Sequence, residues 1–476
     1  MNAGEVLVVG GGSAAHRFAE RLLHHGHRGG VTVLGAEPRA PYHRVLLTSV
    51  LDGTLPPAAL ALPELPAGVR VRTGVTVTRI DRARRLAYAD DGSVHRYDTL
   101  VLATGARADL PRIPGADGLG PADGVVALRT LADAEHVLRT APDARRTVVL
   151  GAGLLGVEAA AALRRAGHEV ALVHRGPHPL GRHLDPTAGA LLARRLTGLG
   201  VEVHADREAA GYCSGKLTLD DGSVLTADTL LLCTGAVPET GLARRAGLTV
   251  RTGVVVDGRL RTSDPYIHAI GDCAEHPGDT AGHLEPAWEQ AESLARQLTG
   301  TSTTTEHRGT RQITRLRVPG IDLVRLGRGG GTGGEDSGSE KSGGEVVTFA
   351  DPSGGRYARL TLHDQRITDA VLLGLPKAIA AVTRLYEQDL PMPAGRLEFL
   401  LGIPPAAPGA DELPDDAVVC RCNNVTKHAI TEACRSGAAD VAEVAAATRA
   451  TTGCGGCTNA VRSLCGLVRT EGSTLS

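Results

Sequence analysis

Four cysteines near the carboxyl end of the chain are spaced like the ligands of a metal centre. Cys420 and Cys422 are separated by one residue, and Cys454 and Cys457 enclose two glycines further along. Four thiolates are the ligand set of a [2Fe–2S] cluster, and they also suit a structural zinc ion. In an extended segment both sulfurs of the first pair can lie on one side. The pattern predicts a [2Fe–2S] cluster, with a zinc ion as the alternative.

The other five cysteines lack such a pattern. Cys434 and Cys465 fall in helical stretches and are expected to pack rather than to ligate, and Cys213, Cys233 and Cys273 are interpreted as packed or incidental thiols. None of the nine cysteines precedes Cys213. This distribution is unlike that of a disulfide-stapled secreted protein. It indicates metal or redox chemistry in the C-terminal segment.

Two glycine-rich loops each follow a short apolar strand and precede a helix. Their key positions are Gly10, Gly12 and Ala15 in the first loop, and Gly151, Gly153 and Gly156 in the second. In such a loop the glycines permit a tight turn and close approach of a diphosphate, which binds the helix N-terminus. One copy is weak evidence and could belong to an unrelated α/β fold. Two copies, each within a β-α-β unit, predict two dinucleotide sites.

The two units differ where the second strand ends. Glu37 ends the first unit and can accept hydrogen bonds from ribose hydroxyls. The second unit has His174 and Arg175 there, and an arginine can meet a 2′-phosphate. Arg175 can equally be a solvated side chain. The choice between NADH and NADPH therefore stays open.

The elements that must hold these loops also repeat. Residues 90–94 and 220–224 both read Asp-Asp-Gly-Ser-Val, which predicts two hairpin turns offset by 130 residues. Each turn precedes an apolar strand that ends in a Thr-Gly loop, at Thr104 and Gly105 in one copy and at Gly235 in the other. The first half of the chain is thus predicted to contain two copies of one architecture.

Composition excludes several classes of function. The net charge is -2 and aromatic residues are 2% of the chain, so neither electrostatics nor base stacking favours nucleic-acid binding. No apolar run is long enough for a membrane span. The first residues contain no signal peptide pattern. We therefore expect a cytoplasmic protein that binds neither nucleic acid nor membrane.

The order of these motifs resembles the two-dinucleotide flavoprotein family over about residues 4–330. Two β-α-β units alternate with two Thr-Gly strands, and a further strand ends at Asp272. This family includes ferredoxin reductases and the nitrite reductase large subunits. Disulfide reductases of this fold carry a cysteine pair in the first domain, and that pair is missing here. The resemblance implies FAD at the first loop and NAD(P)H at the second, without dithiol chemistry.

The resemblance also implies roles for individual residues. Glu37 would bind the adenosine ribose of FAD, Asp272 would accept a hydrogen bond from its ribityl chain, and Arg44 would line the same site. The alternatives are a surface arginine at Arg44 and a helix N-cap at Asp272. Glu158 would lie near the nicotinamide, unless it is a helix-surface carboxylate. The remaining candidates are Thr104 and Gly105 for FAD, and His174, Arg175 and Gly235 for NAD(P).

The C-terminal module resembles [2Fe–2S] domains of the bacterioferritin-associated-ferredoxin type. A flavoprotein followed by this module resembles the electron transfer subunits of assimilatory nitrate reductases and the N-terminal part of NAD(P)H nitrite reductase large subunits. The resemblance implies a molybdenum nitrate reductase catalytic subunit as partner, and no nitrite reduction by residues 1–476 alone. The alternatives are a rubredoxin or ferredoxin reductase, and a flavoprotein with a zinc-held docking module.

We therefore predict an α/β protein with two Rossmann-like dinucleotide-binding domains, an α+β reductase domain and a small helical [2Fe–2S] module. The predicted divisions are an FAD domain at 1–112 plus 240–305, an NAD(P) domain at 113–239, the α+β domain at 306–403 with a disordered insertion at 327–344, a linker at 404–416 and the cluster module at 417–476.

Overall fold

The computed structural model describes residues 4–140, 146–277, 282–301, 306–307, 309–327, 344–401 and 413–473. The predicted insertion at 327–344 and linker at 404–416 lie largely outside the described residues. No helix among the described residues is long and apolar enough to cross a membrane.

The amino-terminal part of the chain contains nine strands and three α-helices within residues 4–140. They are β1 (Val6–Val9), α1 (Ser13–His24), β2 (Val31–Gly35), α2 (Leu47–Leu51), β3 (Val69–Thr73), β4 (Val77–Asp81), β5 (Leu86–Ala89), β6 (Val94–Arg96), β7 (Thr99–Leu102), β8 (Ala106–Ala108), β9 (Val125–Ala127) and α3 (Leu131–Thr140).

Residues 146–277 contain the second glycine-rich loop and its supporting strands. The elements are β10 (Arg146–Leu150), α4 (Leu154–Arg165), β11 (Glu169–Val173), α5 (Pro186–Gly198), β12 (Val201–His204), β13 (Ala209–Cys213), β14 (Lys216–Leu219), β15 (Val224–Thr226), β16 (Thr229–Leu232), β17 (Ala236–Pro238), α6 (Gly241–Arg245), β18 (Val254–Val255), β19 (Ile267–Ala269) and β20 (Ala274–Glu275).

The remaining elements build a sheet with its helices and then a small helical module. They are α7 (Leu284–Thr299), β21 (Ile313–Arg315), β22 (Leu323–Leu326), β23 (Glu345–Asp351), β24 (Arg356–His363), β25 (Arg366–Leu373), α8 (Pro376–Gln388), α9 (Arg396–Leu400), β26 (Val418–Cys420), β27 (Val425–Thr426), α10 (Lys427–Arg435), α11 (Val441–Thr448) and α12 (Thr458–Ser473).

The first of two compact units comprises Met1–Arg145, Ala209–Thr218 and Val224–Gln312. Its parallel sheet has the strand order β19-β7-β1-β2-β3. Strands β1, β2 and β7 are nearly continuous runs of buried residues, as expected in the interior of a parallel sheet, whereas the edge strand β3 is mostly exposed. Helix α1 buries a stripe that includes Ala15, Phe18 and Leu22. The helix ends before Gly26, which has the positive φ of +86° that suits a terminating glycine.

The second unit comprises Arg146–Glu208, Leu219–Ser223 and Ile313–Ser476. Its parallel strands β10, β11 and β12 carry the second β-α-β unit, in which α4 ends before Gly167 at φ +94°. An antiparallel sheet follows, in the order β21-β22-β25-β24-β23. The helices α10, α11 and α12 then pack around a small core of their own, which includes Ile430, Val444 and Val461.

The predicted repeat is present in the hairpins. Strands β5 and β6 join through a turn in which Asp91 accepts a hydrogen bond from the Ser93 N–H at 2.9 Å. Asp221 and Ser223 make the same 2.9 Å contact in the second copy. Strands β7 and β16 follow, as the sequence predicts. The two Rossmann-like parallel-sheet cores of the predicted fold class are confirmed.

Candidate cofactor sites

The first glycine-rich loop leaves open space in front of helix α1. Gly10 has φ +124°, and a Cβ there would lie 2.0 Å from the carbonyl oxygen of Ala103, so only glycine fits. Gly12 is the N-cap of α1, and nothing lies within 4 Å of the position of a Cβ. No side chain caps this helix, and its first turn contains no acidic residue. Uncapped N–H groups facing open space fit the diphosphate of a dinucleotide.

The second loop has the same construction. The Gly151 N–H donates to Val173 O at 2.8 Å, just as the Gly10 N–H donates to Leu34 O at 2.8 Å. Gly153 is the extended N-cap of α4, which again lacks a side-chain cap. Nothing lies within 4 Å of the position that a Cβ on Gly153 would take, and Gly156 is buried in the helix. This loop therefore also fits a diphosphate.

Glu37 lies just after β2 and contacts one aromatic and one basic neighbour. Its Oε2 accepts a hydrogen bond from the Tyr42 hydroxyl at 2.7 Å, and its Oε1 forms an ion pair with Arg44. Arg44 Nη1 also donates to the carbonyl oxygen of Arg129 at 2.6 Å. Burial is the main cause that raises the pKa of Tyr42 to about 12, so its hydroxyl stays a donor. Arg44 is thus no free surface arginine, because it orients Glu37.

Asp272 is also held by neighbours from distant parts of the chain. Arg129 Nη2 donates to its Oδ2 at 2.9 Å, and the Gly282 N–H donates to its Oδ1 at 3.0 Å. The alternative of a helix N-cap is wrong, since Asp272 lies inside the 3₁₀ turn whose N-cap is Ile270. Sequence reasoning missed Arg129, although its position just after strand β9 resembles that of Glu37 after β2.

The two Thr-Gly loops are tied to each other's neighbouring strands. Thr104 Oγ1 donates to Glu239 O at 2.6 Å, and Thr234 Oγ1 donates to Asp109 O at 2.5 Å. Strands β8 and β17 pair antiparallel beside them. Gly105 and Gly235, at φ +71° and +120°, both have open space where a Cβ would lie. Gly235, a predicted NAD(P) residue, thus belongs to the first unit with Thr104 and Gly105.

His174 and Arg175 follow strand β11 and differ in exposure. His174 is buried, and burial lowers its pKa. Its backbone is fixed, because its N–H donates to His204 O and its carbonyl accepts from the Arg207 N–H, both at 3.0 Å. Arg175 is exposed. A neutral histidine and a solvated arginine occupy this end of the strand, so the geometry leaves both nicotinamide dinucleotides open.

Glu158 is buried in α4 rather than exposed on it. It is 3% exposed, and its Oε1 accepts a hydrogen bond from the backbone N–H of Arg317 at 2.9 Å. The guanidinium Nε of Arg317 lies 3.5 Å from Oε2. Burial raises the pKa of Glu158, and the contacts with Arg317 oppose this rise. The alternative of a helix-surface carboxylate is therefore wrong.

The four C-terminal cysteines come together as two pairs. The Cys422 thiol donates to Cys454 Sγ at 3.2 Å, and Cys457 forms a hydrogen bond with Cys420. Within the described part of the chain, no three side chains of the metal-binding types converge on a single ion. Two pairs of thiols match a [2Fe–2S] cluster, in which each iron takes two thiolates. The donor set therefore fits this group.

The hydrogen bond within each pair lowers the pKa of the accepting thiol, Cys454 or Cys420, and raises the pKa of its partner, Cys422 or Cys457. The pKa of Cys454 is lowered to about 5, first by the hydrogen bond from Cys422 and then by the Gly456 N–H and the charges of Arg315 and Arg317, against the effect of burial. The hydrogen bond from Cys457 lowers the pKa of Cys420 to about 7. Because thiolates bind metals and thiols do not, this half of the ligand set is suited to take up iron at neutral pH.

The other cysteines lie elsewhere. Cys434 on α10 and Cys465 on α12 contact each other at 3.0 Å between sulfurs and pack into the module's own core. Cys233 and Cys273 are buried, and burial raises the pKa of both thiols, whereas Cys213 is exposed.

A comparison with protein families identifies both parts of the chain. Residues 4–293 match the model of the pyridine nucleotide-disulphide oxidoreductases, and residues 418–465 match that of the BFD-like [2Fe–2S] binding domains. The chain belongs to the pyridine nucleotide-disulphide oxidoreductase family. Members of this family use FAD and NAD(P)H, and the additional domain carries a [2Fe–2S] cluster.

Relatives within this family include electron-transfer proteins of two kinds. The assimilatory nitrate reductase electron transfer subunit of Bacillus subtilis (strain 168) is 30% identical over 456 residues, which are 93% of this chain and 57% of that protein. The ferredoxin–NAD(+) reductase subunit of the benzene 1,2-dioxygenase system of Pseudomonas putida is 32% identical, over 82% of this chain and 93% of that protein.

A solved relative in this family supports the fold. The structure of the covalent putidaredoxin reductase–putidaredoxin complex matches with a TM-score of 0.73 and 26% identity, over 84% of this chain and 99% of the matched one. The chain spans about half the length of the nitrate and nitrite reductase relatives. It is an NAD(P)H-dependent FAD oxidoreductase with a [2Fe–2S] domain.

Proposed function

We propose that this chain supplies electrons from NAD(P)H to a nitrate or nitrite reductase catalytic partner in nitrate assimilation. When bound, FAD accepts two electrons together and the [2Fe–2S] cluster takes them one at a time, so the two cofactors convert hydride transfer into single-electron delivery. One observation carries the proposal. A single chain contains two helices, α1 and α4, whose uncapped N-termini follow glycine-rich loops, and two pairs of thiols that suit a [2Fe–2S] cluster.

The residues of the first unit would bind and orient FAD. Gly10 permits the sharp turn, Gly12 leaves room for the diphosphate, and the N–H groups of α1 would hold it. Glu37, oriented by Arg44, would accept hydrogen bonds from the adenosine ribose. Asp272, oriented by Arg129, would accept a hydrogen bond from the ribityl chain.

The residues of the second unit would bind the nicotinamide dinucleotide and the cluster. The N–H groups of α4 and the space at Gly153 would take the diphosphate, while His174 and Arg175 would face the adenosine ribose. Glu158 would contact the nicotinamide. We further propose that a molybdenum-containing chain is the acceptor and that the protein works in the cytoplasm. The proposal of a nitrate reductase acceptor extends to this chain the role that the name of the Bacillus subtilis relative gives to that protein.

A spectroscopic experiment tests this function. The purified protein is titrated anaerobically with NADH and with NADPH, and iron and sulfide are determined. We expect flavin bands and cluster absorption to bleach together with the preferred nucleotide, and to return when nitrate and a nitrate reductase catalytic subunit are added. Zinc in place of iron would instead identify a zinc-held docking module and refute the relay.

A second candidate function is the reduction of a small carrier such as a rubredoxin or ferredoxin. It is favoured by similarity to the rhodocoxin reductase of Rhodococcus erythropolis, which is 36% identical over 321 residues. Reoxidation of the reduced protein by purified rubredoxin or ferredoxin, and not by nitrate reductase, would support this candidate.

A further inference from the structure

A basic side chain at the end of strand β21 lies beside one of the cysteine loops. Arg315 ends strand β21, and its Nη1 lies 3.8 Å from the position that a Cβ on Gly456 would take. Gly456 stands between the ligands Cys454 and Cys457. The guanidinium of Arg315 is therefore at the glycine turn that would enclose one side of the cluster.

Arg317 follows two residues later and is held by contacts with helix α4. Its backbone N–H and its guanidinium both contact the buried carboxylate of Glu158. Its charge acts on both Cys422 and Cys454. Arg315, in contrast, forms no ion pair with any carboxylate in the described part of the chain.

The loop of Cys420 and Cys422 is attached to the α+β domain by an ion pair. Arg421, which separates Cys420 from Cys422, forms an ion pair with Glu387 on helix α8. Both loops of the cluster site thus meet charged side chains of the α+β domain. This arrangement keeps Arg315 beside the loop of Cys454 and Cys457, and Arg317 two residues further along the same segment.

We propose, on the basis of the function proposed above, that the charges of Arg315 and Arg317 raise the reduction potential of the [2Fe–2S] cluster. A cluster with four thiolates carries net negative charge and gains one more on reduction. Fixed cations at short range stabilise the reduced form more than the oxidised form. The two arginines therefore favour acceptance of each electron that leaves the flavin.

The test measures the cluster potential without using nicotinamide. The full-length protein and its Arg315→Gln, Arg317→Gln and Arg315→Lys variants are titrated with dithionite and mediators, and the reduced cluster is quantified by electron paramagnetic resonance. Arg359→Gln, an exposed change of equal charge on strand β24 of the same sheet, is the control. Iron and sulfide are determined for every protein.

We expect both Gln variants to bind an electron less readily, by about tenfold in the equilibrium constant, which is about 59 mV for a one-electron couple. The effect should be larger for Arg315→Gln, because Glu158 already pairs with Arg317 and offsets part of its charge. Arg315→Lys should stay near the wild type, and Arg359→Gln should match it. Loss of iron from Arg315→Gln but not from Arg315→Lys would also support the need for positive charge at this position.

Three results would overturn the inference. The first is a wild-type potential in both Gln variants with full iron and sulfide, which leaves the proposed function intact. The second is loss of the cluster from Arg315→Gln and Arg315→Lys alike, which would assign Arg315 a structural role only. The third is a wild-type protein without iron and sulfide, which would refute the proposed function together with the inference.

Discussion

Gly10 and Gly12 stand two residues apart in one loop, but an added methyl group would meet opposite surroundings. At Gly10, with φ +124°, the methyl group would lie 2.0 Å from the Ala103 carbonyl oxygen. At Gly12, with φ -86°, no atom lies within 4 Å. Gly10→Ala should therefore damage the fold itself, whereas Gly12→Ala should leave the fold intact and reduce FAD binding.

The magnitudes follow from these two environments. For Gly10→Ala, backbone strain of about 1–3 kcal/mol and overpacking of about 1–3 kcal/mol predict a loss of about 2–6 kcal/mol in the free energy of unfolding. For Gly12→Ala, the flavin-free protein should unfold like the wild type. If the diphosphate occupies the open space, overpacking of about 1–3 kcal/mol weakens FAD binding from about fivefold to about 150-fold.

Two measurements separate these effects. Denaturant unfolding of the flavin-free proteins gives the stability of each fold, and titration with FAD, followed by flavin fluorescence, gives the dissociation constant. A Gly12→Ala protein that binds FAD as tightly as the wild type would refute the assignment of this space to the diphosphate. A Gly10→Ala protein of wild-type stability would refute the steric argument.

Three further predictions concern other parts of the molecule. Cys422→Ser and Cys457→Ser should lose iron and sulfide but keep FAD and its reduction by NAD(P)H, whereas the matched Cys465→Ser should keep its iron. An iron assay in which Cys465→Ser loses more iron than the other two variants would contradict the ligand set. Gly153→Ala should raise the KM for the nicotinamide dinucleotide without changing the FAD content, which steady-state kinetics and absorbance will check. Burial lowers the pKa of His268 to about 4, below its unfolded value, so the unfolded state binds the proton more readily between pH 6.5 and 4. The folded state therefore keeps its full stability above pH 6.5, where His268 is neutral in both states. The free energy of unfolding should fall by about 2 kcal/mol between pH 8 and 5. If urea unfolding of His268→Leu shows the same loss, another group is responsible.

The sequence alone predicted the parts that depend on local chain geometry. The loops at Gly10 and Gly151 are recognisable because only a few residue types permit their backbone turns. The hairpins repeat because Asp91 and Asp221 make the same local hydrogen bond. That Cys434 and Cys465 pack into a core also follows from their helical positions, although their mutual contact was not predicted.

Contacts between distant segments could not be predicted in this way. Arg129 reaches Asp272 across 143 positions, and Arg317 reaches Glu158 across 159. Neither arginine belongs to a short motif, and arginine is frequent throughout this chain. Their partners are selected by the tertiary fold, which brings strand ends and loops together. This is also why the surface alternative for Glu158 and the N-cap alternative for Asp272 were wrong.

The ion pair between Arg421 and Glu387 restricts how an outside protein can reach the iron. This contact holds the loop of Cys420 and Cys422 against helix α8, and Arg315 lies beside the loop of Cys454 and Cys457, so side chains of the α+β domain already cover part of the module. A redox partner must then approach from the remaining sides or displace the module from its seat. In the second case the ion pair between Arg421 and Glu387 would have to break before the partner reached the cluster.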